Sequence, residues 1–128
     1  MKQSRNTSQR QLVRDLLEGN FSHPTADEIY ELARKANPSI SRGTVYRNLN
    51  LLADSGEILR LNMPIGPDHY DSRTHPHYHF LCRCCGRVID TGLPYDSSLN
   101  LAAPELPGCK TESHRLILIG LCPQCNKT

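Results

Sequence analysis

Two short cysteine pairs carry the most specific chemistry in this sequence. Cys82 and Cys85 form one C-x-x-C unit, and Cys122 and Cys125 form another. Such a turn can direct both of its sulfurs to one ion at about 2.3 Å, and four thiolates complete the tetrahedral coordination of zinc. The spacing therefore predicts a structural zinc site. Two unrelated turns with free thiols remain an alternative, whereas a redox pair is disfavoured because neither unit lies within a βαβ motif.

A second group of metal-competent side chains offers nitrogen and oxygen ligands. His77 and His79 are two residues apart, so their imidazoles share a face if this segment is a strand. Three imidazoles and two carboxylates, each at a predicted junction, would suit iron(II) or manganese(II), with zinc as a competitor. The residues are His23, Asp71, His77, His79 and Asp90. Spacing alone supports only the histidine pair, because a lone histidine is commonly a packed residue and an isolated aspartate commonly forms a turn.

Composition limits the classes of protein that this chain can be. With 128 residues, 38% of them hydrophobic and none Trp, it has room for one domain or two small ones, whose lean cores commonly need a metal or a partner subunit. A formal charge of +2 does not by itself indicate a nucleic-acid binder. The N-terminal segment lacks the apolar core of a signal peptide, and the longest apolar run, Leu116 to Ile119, cannot span a bilayer. We expect a soluble cytoplasmic protein with no membrane association, whose cysteines bind metal and form no disulfides.

Helices are predicted at the beginning of the chain. The first covers 7–18, where Thr7 or Ser8 can serve as the cap and Gly19 as the stop. The second begins with a capping box, Thr25 to Glu28, in which a threonine and a glutamate three residues later satisfy each other's backbone N–H groups.

A third helix and a hairpin complete the predicted first domain. The helix covers 41–55, capped by Ser41 and ended by Gly56, with Val45, Leu49 and Leu52 on one face. Two short strands are predicted around a turn at 64–67. Three helices followed by a hairpin predict a winged helix, a relative of the helix-turn-helix.

The predicted fold class is α+β, with a small α/β domain after the winged helix. Its predicted elements are strands at 77–81, 87–90 and 114–119 and a short helix that begins near Asp96 and is stopped by Pro104 and Pro107. The predicted organisation is a DNA-binding domain over 1–73, a hinge over 74–76, and a zinc-binding domain over 77–128, to which the family resemblance described below also assigns dimerisation.

The outward face of the third helix is the predicted DNA-reading surface, because the recognition helix of a winged helix enters the major groove. It comprises Gly43, Thr44, Tyr46, Arg47 and Asn50. Arg47 can bind guanine O6 and N7, and Tyr46 can pack on thymine methyl groups. Packing between helices for Tyr46 and a solvated charge for Arg47 are the alternatives. Further cations that could contact phosphate are Arg5, Arg10 and Arg14.

Several motifs together resemble the ferric uptake regulator (Fur) superfamily of metal-dependent repressors. They are TSQR at 7–10, followed by HPTADEIY, SRGTVYRNL, HPHYHFLCRCCG and GLCPQC. The resemblance runs nearly from end to end and implies a homodimer that binds double-stranded DNA at an AT-rich inverted repeat. It also implies a transcriptional repressor and not an enzyme, with structural zinc and regulatory iron or manganese.

Within that superfamily the peroxide-sensing (PerR-like) branch is the most similar. The resemblance implies that its regulatory ligands correspond to His23, Asp71, His77, His79 and Asp90. Iron sensors usually have Glu at the last position, so Asp90 favours the peroxide-sensing branch. Tyr78 and Pro76 replace ligands of a further metal site that many members have, so that site is expected to be absent.

Other residues near these clusters are expected to play lesser roles. For His114, which corresponds to a family histidine on the last strand, a packing or dimer-contact role is expected. His69 and His75 have no clear counterpart but could substitute as ligands. Cys84 and Cys109 are interpreted as ordinary thiols.

The resemblance also implies a mechanism. Regulatory metal whose ligands come from both domains fixes the angle between them and raises DNA affinity by pre-organisation. Peroxide then oxidises His23 or His77 to 2-oxo-histidine, and the metal and the DNA are released. The alternative is an iron- or zinc-responsive repressor without peroxide sensing. A metal-dependent enzyme and a zinc-stabilised interaction module are disfavoured, because no nucleophile or phosphate-binding loop accompanies the histidines and the third helix has a polar outer face.

Overall fold

The computed structural model describes residues 5–20, 22–101 and 107–127. The chain divides into two compact units, Met1–Thr74 and His75–Thr128. The first unit contains the helices α1 (Arg5–Leu17), α2 (Ala26–Ala36) and α3 (Arg42–Asp54). In the part of the chain that the structure describes, no helix has the length and apolar character needed to cross a membrane.

The predicted caps are confirmed for two of the three helices. Thr25 and Glu28 form the reciprocal capping box of α2, and the Ser41 side chain accepts from the backbone N–H of Thr44 at the start of α3. The prediction for α1 was wrong, because Thr7 and Ser8 lie inside the helix. It rested on residue type alone, and no Pro or Gly at positions 5 and 6 interrupts the helix upstream.

The core of the first unit is formed by the apolar faces of its three helices. Side chains that are fully buried there are Val13, Leu17, Ile29, Ala33, Val45, Leu49 and Leu52. After α3 in the chain, strand β1 (Leu59–Leu61) pairs antiparallel with β2 (His69–Asp71). Three helices and a two-stranded wing confirm the predicted winged helix.

The second unit is a three-stranded sheet with strand order β4-β3-β5. Its strands are β3 (His79–Cys82), β4 (Val88–Asp90) and β5 (Ile117–Gly120), with a 3-10 helix at Ser97–Leu101 between β4 and β5. Strand β3 is antiparallel to β4 and parallel to β5. Helix and sheet together confirm the α+β class.

Most of the strand bounds predicted for this unit differ from the structure by one to three residues, and the predicted helix differs in type. Strand β3 begins at His79 and not at 77, because ladder pairing with both neighbours starts at His79. Strand β5 begins at Ile117 and not at 114, after a polar stretch. The helix expected near Asp96 is a 3-10 helix, and Pro104, one of its predicted stops, lies outside the described residues.

Candidate metal centres

Four cysteine sulfurs of the second unit converge on one point. The Sγ atoms of Cys82, Cys85, Cys122 and Cys125 all lie within 4.8 Å of one another. The Sγ atoms of Cys85 and Cys122 are 3.8 Å apart. Sulfurs arranged tetrahedrally at about 2.3 Å from zinc lie about 3.8 Å from each other, so the spacing fits that ion.

Parallel pairing of β3 with β5 brings the two C-x-x-C turns together. The register places Cys82 opposite Gly120, so Cys122 follows β5 beside the end of β3. The first turn closes when the backbone N–H of Gly86 donates to the carbonyl of Cys82 at 2.9 Å. Gly86 has φ 80°, a left-handed conformation that glycine adopts without strain.

Backbone amides stabilise the thiolate form of Cys82. The N–H of Cys85 donates to its sulfur at 3.5 Å and that of Cys122 at 3.4 Å. These hydrogen bonds lower the pKa of Cys82 from 9.0 to about 6. A hydrogen bond shared with Cys122 instead raises the pKa of Cys125. A bound divalent ion would replace these shared protons, because metal-bound cysteines are deprotonated.

In the first unit, a histidine and an aspartate form a buried pair. The Nε2 atom of His23 lies 3.2 Å from Oδ2 of Asp71, and their side chains are 1% and 0% exposed. The segment before α2 is attached to β2, since the N–H of Tyr70 donates to the carbonyl of Pro24 at 2.9 Å and Thr25 bridges to His69. The pair can therefore bind a cation as one pre-formed unit.

His69 holds the backbone of His23. Its Nδ1 lies 2.6 Å from the carbonyl oxygen of His23, so Nδ1 carries the proton and donates. His23 has φ 56°, a left-handed conformation that is uncommon for residues other than glycine and is concentrated at functional sites. Sequence reasoning left His69 as a substitute ligand. No local pattern could have identified this role, because the contact joins residues 46 positions apart.

In the second unit, two imidazoles meet one carboxylate. The Oδ1 atom of Asp90 lies 3.2 Å from Nε2 of His77 and 3.5 Å from Nε2 of His79. The β3–β4 register makes His79 and Asp90 cross-strand partners. His77, which precedes the strand, reaches the same carboxylate, so the predicted proximity of the two imidazoles is correct even though the strand begins later.

The His77 ring is oriented as a metal ligand usually is. Its Nδ1 lies 2.7 Å from the carbonyl oxygen of His75 and must donate to it. The lone pair is thereby left on Nε2, the atom that faces Asp90. An outer hydrogen bond of this kind commonly fixes the tautomer of a ligating histidine.

Tyr78 and His114 form a hydrogen-bonded network behind these ligands. The Tyr78 hydroxyl donates to Nε2 of His114 at 2.6 Å, and Nδ1 of His114 donates to Oδ1 of Asn100 at 2.7 Å. The ring of Tyr95 stacks on His114 with centroids 4.5 Å apart. Both imidazole nitrogens are thus engaged by protein groups, which agrees with the packing role expected for His114.

The predicted DNA-reading residues lie along α3, where all are exposed except the partly exposed Thr44: Gly43, Thr44, Tyr46, Arg47 and Asn50. For two of these residues, Asn50 and Tyr46, the structure shows hydrogen-bond partners that the sequence did not predict. The Oδ1 atom of Asn50 accepts from Arg60 at 2.7 Å. The Tyr46 hydroxyl donates to Asp27, which also pairs with Arg42.

The other arginines predicted to contact phosphate, and the two cysteines outside the thiolate cluster, differ in their surroundings. Arg14 pairs with Glu57, Arg10 is partly buried, and the side chain of Arg5 lies outside the described residues. Cys84 and Cys109 are exposed.

Comparison with known proteins identifies relatives over most of the chain. The model of the ferric uptake regulator family matches residues 1–119. A peroxide-responsive repressor of Staphylococcus epidermidis is 34% identical over 121 residues, covering 94% of this chain and 81% of that protein. The structure of the Helicobacter pylori ferric uptake regulator, described as having three functional metal binding sites, aligns with a TM-score of 0.78 at 25% identity, covering 100% of this chain and 84% of that one. A Campylobacter jejuni peroxide stress regulator aligns with a TM-score of 0.74 at 29% identity, covering 94% and 90%.

Proposed function

The chain belongs to the ferric uptake regulator family, and we propose that it is a metal-dependent, DNA-binding repressor that responds to hydrogen peroxide. The observation that carries the proposal is the separation of two ligand types. One group of candidate ligands contains only thiolates, whereas the other candidate ligands are all imidazoles or carboxylates. The 34% identity to a peroxide-responsive repressor over 94% of the chain supports the choice of stimulus.

Zinc is proposed for the thiolate group, with a structural function. Four cysteines complete a tetrahedral sphere and leave no position for a substrate. Because the two turns follow neighbouring parallel strands, the ion would fasten β3 to β5. This unit has a small core, and such units commonly depend on a metal for folding.

For the regulatory ion we propose five ligands: His23, Asp71, His77, His79 and Asp90. Nitrogen and oxygen donors of this kind suit iron(II) and manganese(II). Two of the proposed ligands belong to the first compact unit and three to the second. One ion held by both groups would restrict the freedom of the units, so that less freedom is lost when the protein binds DNA.

Peroxide sensing would act through a ligand. Iron(II) held by these ligands would supply redox chemistry toward hydrogen peroxide beside the imidazoles. In the net reaction, C2 of His23 or His77 loses its C–H bond and gains a C–O bond, while peroxide is reduced to water. The product, 2-oxo-histidine, binds metal poorly, so the restraint on the two units is lost.

DNA binding is assigned to the exposed face of α3, and Arg47 is the residue best suited to read guanine. We propose that two copies bind an AT-rich inverted repeat through their α3 helices. The second unit offers a surface for pairing, because β5 is an edge strand of its sheet and carries Leu118 and Ile119, which are 42% and 51% exposed. Exposed apolar edges of this kind commonly pair with another chain.

The test is peptide mass spectrometry of the iron-loaded protein after treatment with stoichiometric peroxide. We expect a gain of one oxygen on His23 or His77, and no gain in manganese-loaded protein. Oxidation confined to Cys84 or Cys109 would instead indicate a thiol sensor. Absence of oxidation, together with metal-dependent DNA binding, would favour an iron- or zinc-responsive repressor.

A further inference from the structure

An acidic residue of α2 contacts the face of α3 that is proposed to read DNA. Asp27, in the first turn of α2, is 64% exposed, and its Oδ1 pairs with the guanidinium of Arg42 at the start of α3. The same oxygen accepts from the Tyr46 hydroxyl at 2.5 Å. Arg42 and Tyr46 are four residues apart and therefore neighbours on one face of α3. One carboxylate thus restrains a cation and an aromatic side chain on this surface.

A second contact restricts Arg42 further. Its guanidinium lies over the ring of Tyr30, 4.6 Å from the centroid, in cation–π geometry. Since Tyr30 lies one turn after Asp27 on α2, two residues of that helix hold the arginine from two sides. The hydrogen bond to Asp27 is also the leading reason why the pKa of Tyr46 is raised.

Folding stability does not explain this arrangement. The side chains of Arg42 and Asp27 are 55% and 64% exposed, and ion pairs at such exposure contribute little to stability. A negative charge on a surface that approaches the phosphate backbone opposes binding. The Asp27 carboxylate also pairs with the guanidinium of Arg42, which would otherwise be available to neutralise a phosphate.

We propose that Asp27 is a specificity-determining residue of the DNA-reading surface, which suppresses sequence-independent binding by occupying Arg42. This rests on the proposed function, because it concerns the same surface. A phosphate can use Arg42 only by displacing the Asp27 carboxylate. Non-specific DNA therefore gains less from this arginine than it would without Asp27.

The experiment measures the affinity of the zinc- and manganese-loaded full chain for a short mixed-sequence duplex over a range of salt concentrations. For Asp27→Asn we expect the slope of log K against log salt to steepen by about 0.9 per subunit, since one further phosphate is neutralised. At low salt the affinity should rise by about tenfold. In Asp27→Asn combined with Arg42→Gln, the slope should return to that of the wild type.

The matched control is Glu31→Gln, which removes one acidic charge from the same helix. Glu31 pairs with Arg34 at 2.7 Å and not with α3, so its loss should leave the slope unchanged. The proposal for Asp27 would be overturned if Asp27→Asn left the slope unchanged, or if Glu31→Gln steepened the slope equally. Either result would leave the proposed function of the protein intact. If the loaded wild type binds neither this duplex nor A·T-rich palindromic DNA, the proposed function fails with it.

Discussion

The Nδ1 atom of His69 lies 2.6 Å from the carbonyl oxygen of His23, and the two residues belong to the wing and to the segment before α2. This hydrogen bond holds His23 at φ 56°, a conformation that a histidine does not prefer. The His23 imidazole is buried beside the Asp71 carboxylate, so a shift of the His23 backbone would displace the ring from this position.

Replacing His69 should therefore weaken the proposed regulatory site without changing any of its five proposed ligands. For His69→Phe, which keeps an aromatic ring at a buried position, we expect manganese affinity to fall by about 10- to 100-fold, the usual effect of losing an outer hydrogen bond. Manganese titration followed by electron paramagnetic resonance measures the affinity, and zinc content should not change. His75→Ala, at an exposed position, is the control. Equal affinity in His69→Phe and the wild type would show that the contact does not position His23.

Asp90→Glu tests the chemical role of the carboxylate that meets both imidazoles. The longer side chain keeps the charge but moves the oxygens that lie 3.2 Å from His77 and 3.5 Å from His79. We expect metal-dependent DNA binding to persist, while oxygen incorporation per peroxide falls at least tenfold. Gel shift and mass spectrometry measure the two properties separately. If the variant is oxidised as readily as the wild type, Asp90 does not determine peroxide sensitivity.

Loss of one zinc ligand should unfold the second unit and spare the first. In Cys122→Ser the remaining three sulfurs leave the tetrahedral sphere incomplete, so we expect zinc content to fall below detection and β3 and β5 to separate. Hydrogen exchange should then report loss of protection in 117–120 and retention in α1 to α3. Cys109→Ser, at an exposed cysteine outside the cluster, should behave as the wild type.

The lowered pKa of Cys82 predicts a pH dependence in the metal-free protein. Its folded value of about 6 lies below the ordinary 9.0, chiefly because the N–H groups of Cys85 and Cys122 donate to the sulfur. The stabilisation is therefore complete above pH 9.0 and is lost as pH falls through about 6. Ultraviolet thiolate absorbance should show a group that titrates near pH 6 and is missing in Cys82→Ser. A titration identical in both proteins would contradict the assignment.

Tyr78→Phe tests the hydrogen-bonded network around His114. His114 would lose the donor to its Nε2, and the N–H of Asp96 would lose an acceptor at 3.1 Å. We expect the free energy of unfolding of the second unit to fall by about 1–3 kcal/mol, with the number of bound metal ions unchanged. Tyr95→Phe removes a longer contact of 3.2 Å and should cost less. Denaturant titration and metal analysis measure the two effects.

Local signals in the sequence account for much of this structure. The capping box at Thr25, the cap at Ser41 and the two C-x-x-C turns each depend on residues within three positions of one another, and the structure contains all of them. The cap expected at Thr7 or Ser8 was wrong because residue type alone does not distinguish a cap from the first turn of a helix.

Contacts between segments that are far apart in the sequence could not be predicted from local signals. The pairs His69–His23 and Asp27–Arg42 join residues on different elements, and nothing in the local sequence favours one distant partner over another. The bounds of strands could not be predicted locally either. Strand β3 begins where β4 and β5 can pair with it, and not where the alternating sequence pattern begins.

Parallel pairing of β3 with β5 also has a consequence for biosynthesis. Synthesis must pass Cys125 before the sheet and its four sulfurs can assemble, whereas the helical unit is complete at Thr74. A nascent chain would thus carry a finished DNA-binding unit on the ribosome while its zinc ligands are still being made. The zinc ion would then have to bind after Cys125 has been made, as a late step in the folding of the second unit.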